Sequence, residues 1–323
     1  MKTRLTETLG IDHPVMLAGM GGVSYAPLVT AVSEAGGFGC LGASTMSNER
    51  MVAEIAAVRG ATDKPFGVDL LTAMPGDLVG QVEQIIEGGA SVFVAGLGVP
   101  ADVVDLCHRH DVLVINMCGK VDHARRALDA GCDIVVAQGT EAGGHTGLVA
   151  TMPLVPQIVD AVGTQIPVVA AGGIFDGRGL AAALALGADG VWIGTRFIAT
   201  PEARAVSGYK DALVRTREDG TTISRAFSGK TMRVVRNEYT AFFDDNPSEL
   251  SPFPAQLARS MKDGAFHLGG GEGTPDIDPQ RECYPTGQGV GAIQTLMPAA
   301  SLVAQIVDQA ELVLGGLGLR AEG

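Results

Sequence analysis

The chain has 323 residues, with 23 lysines and arginines against 36 aspartates and glutamates, so its formal net charge is −13. Nucleic acids and anionic membranes bind proteins through basic patches, so we expect neither to be a partner of this chain. Hydrophobic residues make up 46% of the chain and charged residues 18%, a balance that excludes intrinsic disorder. The sequence has no apolar run of the roughly 18 residues that a membrane span needs. Because the first residues also lack the apolar segment of a signal peptide, we expect a cytoplasmic protein.

The five cysteines are odd in number and widely spaced, and none of them forms a C-x-x-C pair. This pattern predicts free thiols rather than a disulfide framework or a zinc site. The chain also lacks the H-x-x-x-H and H-E-x-x-H pairs that hold catalytic metals on helices, so we expect no metal.

Eight short apolar runs alternate with helical patterns through the first 200 residues. Each run is continuously apolar, which is typical of strands buried on both faces of a parallel sheet. The predicted strands cover residues 15–19, 38–43, 66–71, 91–96, 112–117, 133–138, 167–173 and 189–197. The predicted helices cover residues 28–35, 49–58, 78–87, 101–109, 122–130, 154–161 and 179–186. Eight such units predict an α/β fold, a (β/α)₈ TIM barrel.

The regular alternation of predicted strands and helices changes after residue 200. Residues 202–217 are predicted to form the eighth helix, and residues 290–314 a C-terminal helix that completes the barrel core of residues 1–200. Residues 218–285 between them predict a smaller cap. Within the cap, residues 264–285 have no periodicity, which is typical of an active-site lid or of disorder. We favour the lid, because Phe266, His267, Cys283 and Tyr284 are poorly suited to solvent.

In this fold the site lies at the carboxyl ends of the strands. The turns after the seventh and eighth strands carry Gly172-Gly173 and Gly194-Thr195, which offer bare amides and one hydroxyl. Barrels often bind phosphate at these two turns, although glycines there also serve tight turn geometry alone. The turns therefore favour a phosphate-bearing ligand.

His145 is the leading candidate for proton transfer, because it stands in a glycine-rich loop just beyond the sixth strand. The alternative is a loop histidine with no chemical role. Glu141 in the same loop is expected to be solvated or to orient a neighbour. Arg178 and Arg196 are each equally suited to a phosphate or to a nearby carboxylate. The side chains of Met20, Met117 and Met152 predict an apolar mouth for a flat ring.

Taken together, the motifs around these residues resemble those of a known family. Gly-Met-Gly-Gly-Val from Gly19, Glu-Ala-Gly-Gly-His-Thr-Gly from Glu141, Ala-Ala-Gly-Gly-Ile-Phe-Asp-Gly-Arg-Gly from Ala170 and Gly-Thr-Arg-Phe from Gly194 resemble the nitronate monooxygenase family, formerly called 2-nitropropane dioxygenases. The same superfamily includes FMN-dependent enoyl-acyl-carrier-protein reductases and some NAD(P)H:quinone reductases. The resemblance implies non-covalent FMN and makes His145 the catalytic histidine. It implies that the cofactor contacts Gly19, Met20, Gly21, Gln138, Gly143, Gly172, Gly173, Gly194 and Thr195, with the phosphate on the last four.

Three positions depart from the family pattern: Asp69 stands where asparagine is common, Met117 where relatives can have lysine, and Gln138 where some have an acid. An added aspartate and a lost lysine make the site less favourable for an anionic nitronate. The leading hypothesis is nonetheless an FMN-dependent nitronate monooxygenase acting on a small-molecule substrate. An enoyl-thioester or quinone oxidoreductase using FMN and NAD(P)H is the alternative, followed by a non-enzymatic barrel that binds a phosphate ligand. The sequence leaves the oligomeric state open, a homodimer being one option.

Overall fold

The computed structural model describes residues 1–72, 76–96 and 98–318. Eight parallel strands form one sheet. In its strand order β1 is the first strand and β2 is the last. The strands of this sheet are β1 Val15–Leu17, β2 Gly39–Gly42, β3 Phe66–Leu71, β4 Val92–Gly96, β5 Leu113–Cys118, β6 Ile134–Gln138, β8 Val168–Ala171 and β9 Gly190–Ile193. All eight predicted runs are strands: β3 has its predicted ends, β5 lies one residue further along the chain, and the other six are shorter than predicted.

The sheet closes on itself beside the start of β2. The amide of Leu17 donates to the carbonyl of Phe38 at 2.8 Å, and the amide of Phe38 donates to the carbonyl of Val15 at 2.9 Å. Met16 and Phe38 form a parallel bridge at this seam. The predicted (β/α)₈ barrel is therefore confirmed.

The first helix precedes β1 and closes the bottom of the barrel, and the other helices follow the strands and cover the outside of the sheet. The helices are α1 Arg4–Leu9, α2 Ala26–Glu34, α3 Asn48–Ala61, α4 Leu78–Glu87, α5 Ala101–His108, α6 Val121–Asp129, α7 Thr151–Val162, α8 Gly177–Ala185, α9 Thr195–Ile198 and α10 Tyr209–Arg215. Their starts follow local capping chemistry: Asp77 accepts from the amide of Gly80 at 2.9 Å, and Asp176 accepts from the amide of Arg178 at 3.0 Å.

Two apolar layers explain why the strands appear in the sequence as continuous apolar runs. One layer lies inside the barrel, where Met16, Phe38 and Trp192 are buried and Leu5 of α1 joins them at the bottom. The other lies between the sheet and the surrounding helices. Each strand therefore buries both of its faces, which leaves the carboxyl ends of the strands as the place for polar chemistry.

The remaining strands form a small antiparallel sheet over the barrel: β7 Gly144–His145, β10 Thr221–Ser224 and β11 Met232–Val235. With α11 Glu238–Asp245 and α12 Ala255–Lys262 they surround a separate apolar cluster that includes Phe227 and Phe243. In the segment 264–285 the amide of Cys283 donates to the carbonyl of Ala265 at 2.8 Å. Cys283 and Tyr284 are buried, so this segment packs against the protein.

Two predicted helices differ from those observed. The eighth is only α10, Tyr209–Arg215, and the C-terminal helix α13 runs from Ala299 to Gly316 instead of starting at residue 290. Gly287, Gly289 and Gly291 disfavour an α-helix before that point, and Pro298 stands at the N-cap of α13. The five cysteines are buried free thiols. No helix in the described parts of the chain is both long and apolar enough to cross a membrane.

Candidate active site

One cavity of about 380 Å³ opens at the carboxyl end of the barrel, beneath the small antiparallel sheet. All ten residues proposed from the sequence line this cavity. They are Gly19, Met20, Gly21, Gln138, Gly143, His145, Gly172, Gly173, Gly194 and Thr195. Its volume lies within the ~300–1,000 Å³ of small-molecule sites.

The turns after β8 and β9 present unused backbone donors to the cavity. Gly172 and Gly173 have φ angles of 107° and 72°, a region that side chains other than glycine rarely adopt. A Cβ on Gly172 would lie 2.7 Å from the hydroxyl oxygen of Thr151. None of the described residues accepts a hydrogen bond from the amides of Gly173, Gly194 or Thr195. These amides can therefore bind an anion.

The C-terminal part of the chain closes this side of the cavity. The amide of Gly287 donates to Oγ1 of Thr195 at 2.9 Å. A Cβ on Gly143 would lie 2.8 Å from the nitrogen of Gly287, so glycine at position 143 allows the two loops to meet. The turn at residues 286–287 thus fixes both the hydroxyl of Thr195 and the loop that carries His145.

The turn after β1 is held in place by contacts within the protein. The amide of Met20 donates to Oγ of Ser24 at 2.7 Å. A Cβ on Gly19 would lie 2.3 Å from Cβ of Asp69, and one on Gly21 would lie 2.7 Å from Cγ2 of Thr45. Glycines here let the backbone form a close-packed wall of the cavity, which suits a flat ring.

His145 belongs to β7 and pairs with Met232 of β11 across the cavity mouth. Its Nε2 atom lies 2.9 Å from Oγ of Ser228, and its carbonyl accepts from Nε2 of Gln138 at 2.8 Å. The side chain is exposed where it faces the open cavity, and the protein atoms on its other sides bury it in part. This burial, with a smaller contribution from Lys230, lowers the pKa of His145 below 6.5. The imidazole is therefore neutral near pH ~7 and can accept a proton.

Asp69 ends in the same cavity without a hydrogen-bond donor among the described residues, and burial raises the pKa of its carboxyl to about 8. The neutral acid therefore predominates near pH ~7. The repulsion of an anionic substrate expected from the sequence is correspondingly weaker, because that expectation counted Asp69 as charged.

Several candidates have structural roles instead. Glu141 accepts from the amide of Thr151 at 2.6 Å and so caps the start of α7. Arg178 pairs with Asp176 at 2.5 Å, and Nη1 of Arg196 donates to two backbone carbonyls at 3.3 Å each. The prediction for Met152 was wrong: its side chain is 71% exposed and lies outside the cavity, because it points away from the barrel on α7.

Sequence reasoning missed Ser228 and Lys230, which act on His145. Both lie in the turn between β10 and β11, more than 80 residues along the chain from His145. No local periodicity or spacing marks these two positions. Only the pairing of β7 with β11 brings them to the histidine.

The model of the nitronate monooxygenase family matches residues 2–78 and 71–309. A (3aS,4S,5R,7aS)-5-hydroxy-7a-methyl-1-oxo-octahydro-1H-indene-4-carboxyl-CoA dehydrogenase of Mycobacterium tuberculosis is 43% identical over 263 residues, covering 81% of this chain and 74% of that protein. A probable nitronate monooxygenase of Staphylococcus haemolyticus is 32% identical over 359 residues, covering 96% of this chain and 98% of that protein.

The fold of the whole chain is also similar to that of a solved structure. FabK from Thermotoga maritima superposes with a TM-score of 0.88 at 34% sequence identity. The superposition covers 98% of this chain and 99% of that protein, so it includes the cap as well as the barrel.

Proposed function

This chain belongs to the nitronate monooxygenase family and is an FMN-type oxidoreductase, and we propose that it oxidises alkyl nitronates with O₂ to a carbonyl compound and nitrite. The observation that carries the proposal is the position of His145, which lies in one cavity with the phosphate-type turns. A base beside a cofactor site is the arrangement that oxidation at an acidic carbon needs.

The cavity offers what FMN requires. We assign its phosphate to the free amides of Gly173, Gly194 and Thr195, and its ring to the wall formed by Gly19, Met20 and Gly21, with Gln138, Gly143 and Gly172 alongside. FMN, when bound, supplies the electron-accepting chemistry. The protein supplies the orientation, the exclusion of water and the proton transfer.

His145 takes the α-proton from a neutral nitroalkane, or positions a nitronate that has already lost it. The lowered pKa keeps the imidazole neutral and ready to accept a proton. Its contact with Ser228 and the bond from Gln138 to its carbonyl fix the ring over the cavity. Met117 adds an apolar surface where the substrate carbon would lie.

The direct test is nitrite release from a panel of alkyl nitronates in air, without NAD(P)H. We expect nitrite formation well above that of free FMN at the same flavin concentration. Nitrite production no faster than with free FMN across the panel would refute the proposal.

A second candidate reaction is the NAD(P)H-dependent reduction of an enoyl thioester or a quinone. The neutral form of Asp69 and the apolar Met117 favour an uncharged acceptor, and the most similar of the relatives named above is a CoA-ester dehydrogenase. Rapid anaerobic bleaching of the flavin by NADH or NADPH would favour this reaction. Absence of bleaching, together with nitrite release, would favour the monooxygenase.

A further inference from the structure

A second cavity of about 1,100 Å³ adjoins the first. The two share Leu71, Met117, Gln138 and His145, so His145 stands at the junction between them. A small alkyl nitronate would not need the second cavity, which is far larger than the first. Its wall is formed by the carboxyl end of β5, by α6 and by the cap.

The second cavity is basic, although the chain carries a net charge of −13. Lys120, Arg126, Arg225 and Lys230 line it, together with His123, and no aspartate or glutamate is among its described lining residues. Of these cations only Lys120 has a carboxylate within ion-pair distance in the described chain, Asp122 at 3.6 Å. Burial and then the charges of Lys120 and Arg126 lower the pKa of His123, while Asp122 raises it less.

The backbone and the apolar side chains complete the site. Helix α6 begins at this wall, and its N-cap residue Lys120 makes no side-chain capping bond. The amide of His123 donates to the carbonyl of Lys120, which leaves the amides of Val121 and Asp122 free for an anion. Leu148 is 86% exposed and Phe253 is 38% exposed beside the same cavity. A wall that combines unpaired cations with exposed apolar surface suits a phosphorylated nucleoside.

We infer that the second cavity binds the phosphorylated adenine-nucleotide portion of a ligand whose reactive end reaches His145. Coenzyme A thioesters and nicotinamide dinucleotides share this chemistry, each having an adenosine with a pyrophosphate. The inference rests on the proposed function only in taking the first cavity as the place of the reaction. It gives the oxidoreductase a nucleotide-linked substrate or reductant in addition to any small nitronate.

The test is calorimetric titration of the flavin-loaded protein with coenzyme A, NADPH and adenosine. We expect at least one of the two phosphorylated probes to bind, and to bind roughly tenfold or more tightly than adenosine, because charged hydrogen bonds to phosphate are strong. Higher salt should weaken the binding of the phosphorylated probe. Tighter binding of coenzyme A identifies a thioester substrate, and tighter binding of NADPH identifies a reductant.

Arg126→Glu and Arg225→Glu should each weaken that binding about tenfold or more. Arg109→Glu is the matched control, an exposed arginine at the opposite end of the barrel, just before β5. Flavin absorbance and thermal unfolding check that all three variants are folded. The inference is wrong if neither phosphorylated probe binds more tightly than adenosine, or if Arg109→Glu weakens binding as much as the other two. No turnover is measured, so a failure to release nitrite does not affect this result.

Discussion

The hydroxyl of Ser228 determines which nitrogen of His145 can act as the base. Oγ of Ser228 lies 3.3 Å from the carbonyl oxygen of Lys230 and 2.9 Å from Nε2 of His145. When the serine O–H points to that carbonyl, Oγ accepts from Nε2–H, and Nδ1 is left to take a proton. Ser228 is thus a positioning residue for the proposed base.

His145→Ala tests the proton transfer itself. Turnover of a neutral nitroalkane should fall by ~10²–10⁴, the usual contribution of a positioned acid or base. Turnover of a preformed nitronate should fall less, because its proton has already gone. Flavin absorbance should stay nearly unchanged, since we assign the phosphate to the turns after β8 and β9. A colourless variant, or full turnover of the neutral nitroalkane, would contradict this role.

Lys230→Met tests the electrostatic environment of the base. Lys230 helps to lower the pKa of His145, so its removal should raise that pKa towards the ordinary value. A general base must be deprotonated, so the acid limb of the kcat/KM profile with a neutral nitroalkane should move to higher pH. Lys64→Met, an exposed lysine that pairs with Asp12, is the control and should leave the limb in place. An unchanged profile in Lys230→Met would argue against His145 as the titrating group.

The stability of Asp69→Asn at different pH values tests whether the carboxyl of Asp69 is protonated in the folded protein. Burial raises its pKa to about 8 in the folded state, whereas an unfolded aspartate titrates near ~4. At pH values between these two pKa values, the Asp69 carboxyl is protonated in the folded chain and ionised in the unfolded chain. The contribution of this proton to the free energy of unfolding therefore declines as the pH rises, and it is gone above the folded pKa. Urea unfolding of the flavin-free protein should show a smaller loss of stability from about pH 6 to pH 9 in Asp69→Asn. Asp129→Asn, at an exposed position, is the control and should keep the pH dependence of the unmodified protein. If both variants lost the same stability over this pH range, Asp69 would not be the neutral acid that we describe.

A secondary-structure element could be predicted from the sequence when the residues that determine it are neighbours in the chain. Strand β3 was predicted with its observed ends, because its residues bury both faces and the run is bounded by polar sequence. Strand β7 was missed, because Gly144 and His145 become a strand only by pairing with distant β11. The free amides after β8 and β9 could be predicted, since Gly172-Gly173 and Gly194-Thr195 at the strand ends are visible in the sequence. Ser228 could not, because its contact with His145 depends on the fold of the cap.

Gly173→Val tests the turn after β8 as the phosphate site. Valine would place branched side-chain atoms in the space that we assign to the phosphate, so the purified variant should be mostly free of flavin. Its strained φ of 72° also costs stability, so Gly10→Val, with a φ of 67° and open space around a Cβ, is the matched control. The ratio of flavin to protein absorbance should fall in Gly173→Val alone. Equal flavin content in the two variants would remove this turn from the site.

In the whole molecule, the candidate site draws on nearly the entire length of the chain. Gly19 comes from the first turn, His145 from the middle, and the turn at residues 286–287 from near the C-terminus. The sequence motifs identified ten of the residues that line the cavity, but their convergence in one cavity depends on closure of the barrel and on the cap. A ligand in this cavity therefore contacts segments that come together only in the folded protein.

Because such a ligand binds the folded state alone, FMN should stabilise the protein against heat in proportion to the logarithm of its concentration. Free FMN at about 100 times its Kd should add about 2.7 kcal/mol to the free energy of unfolding. Riboflavin is the matched probe, since it has the same ring but lacks the phosphate that we assign to Gly173, Gly194 and Thr195. The Tm of flavin-stripped protein should rise with FMN and much less with riboflavin at equal concentration. If riboflavin raised the Tm as much as FMN does, the free amides of these turns would not be holding the phosphate, and binding would rest on the ring alone.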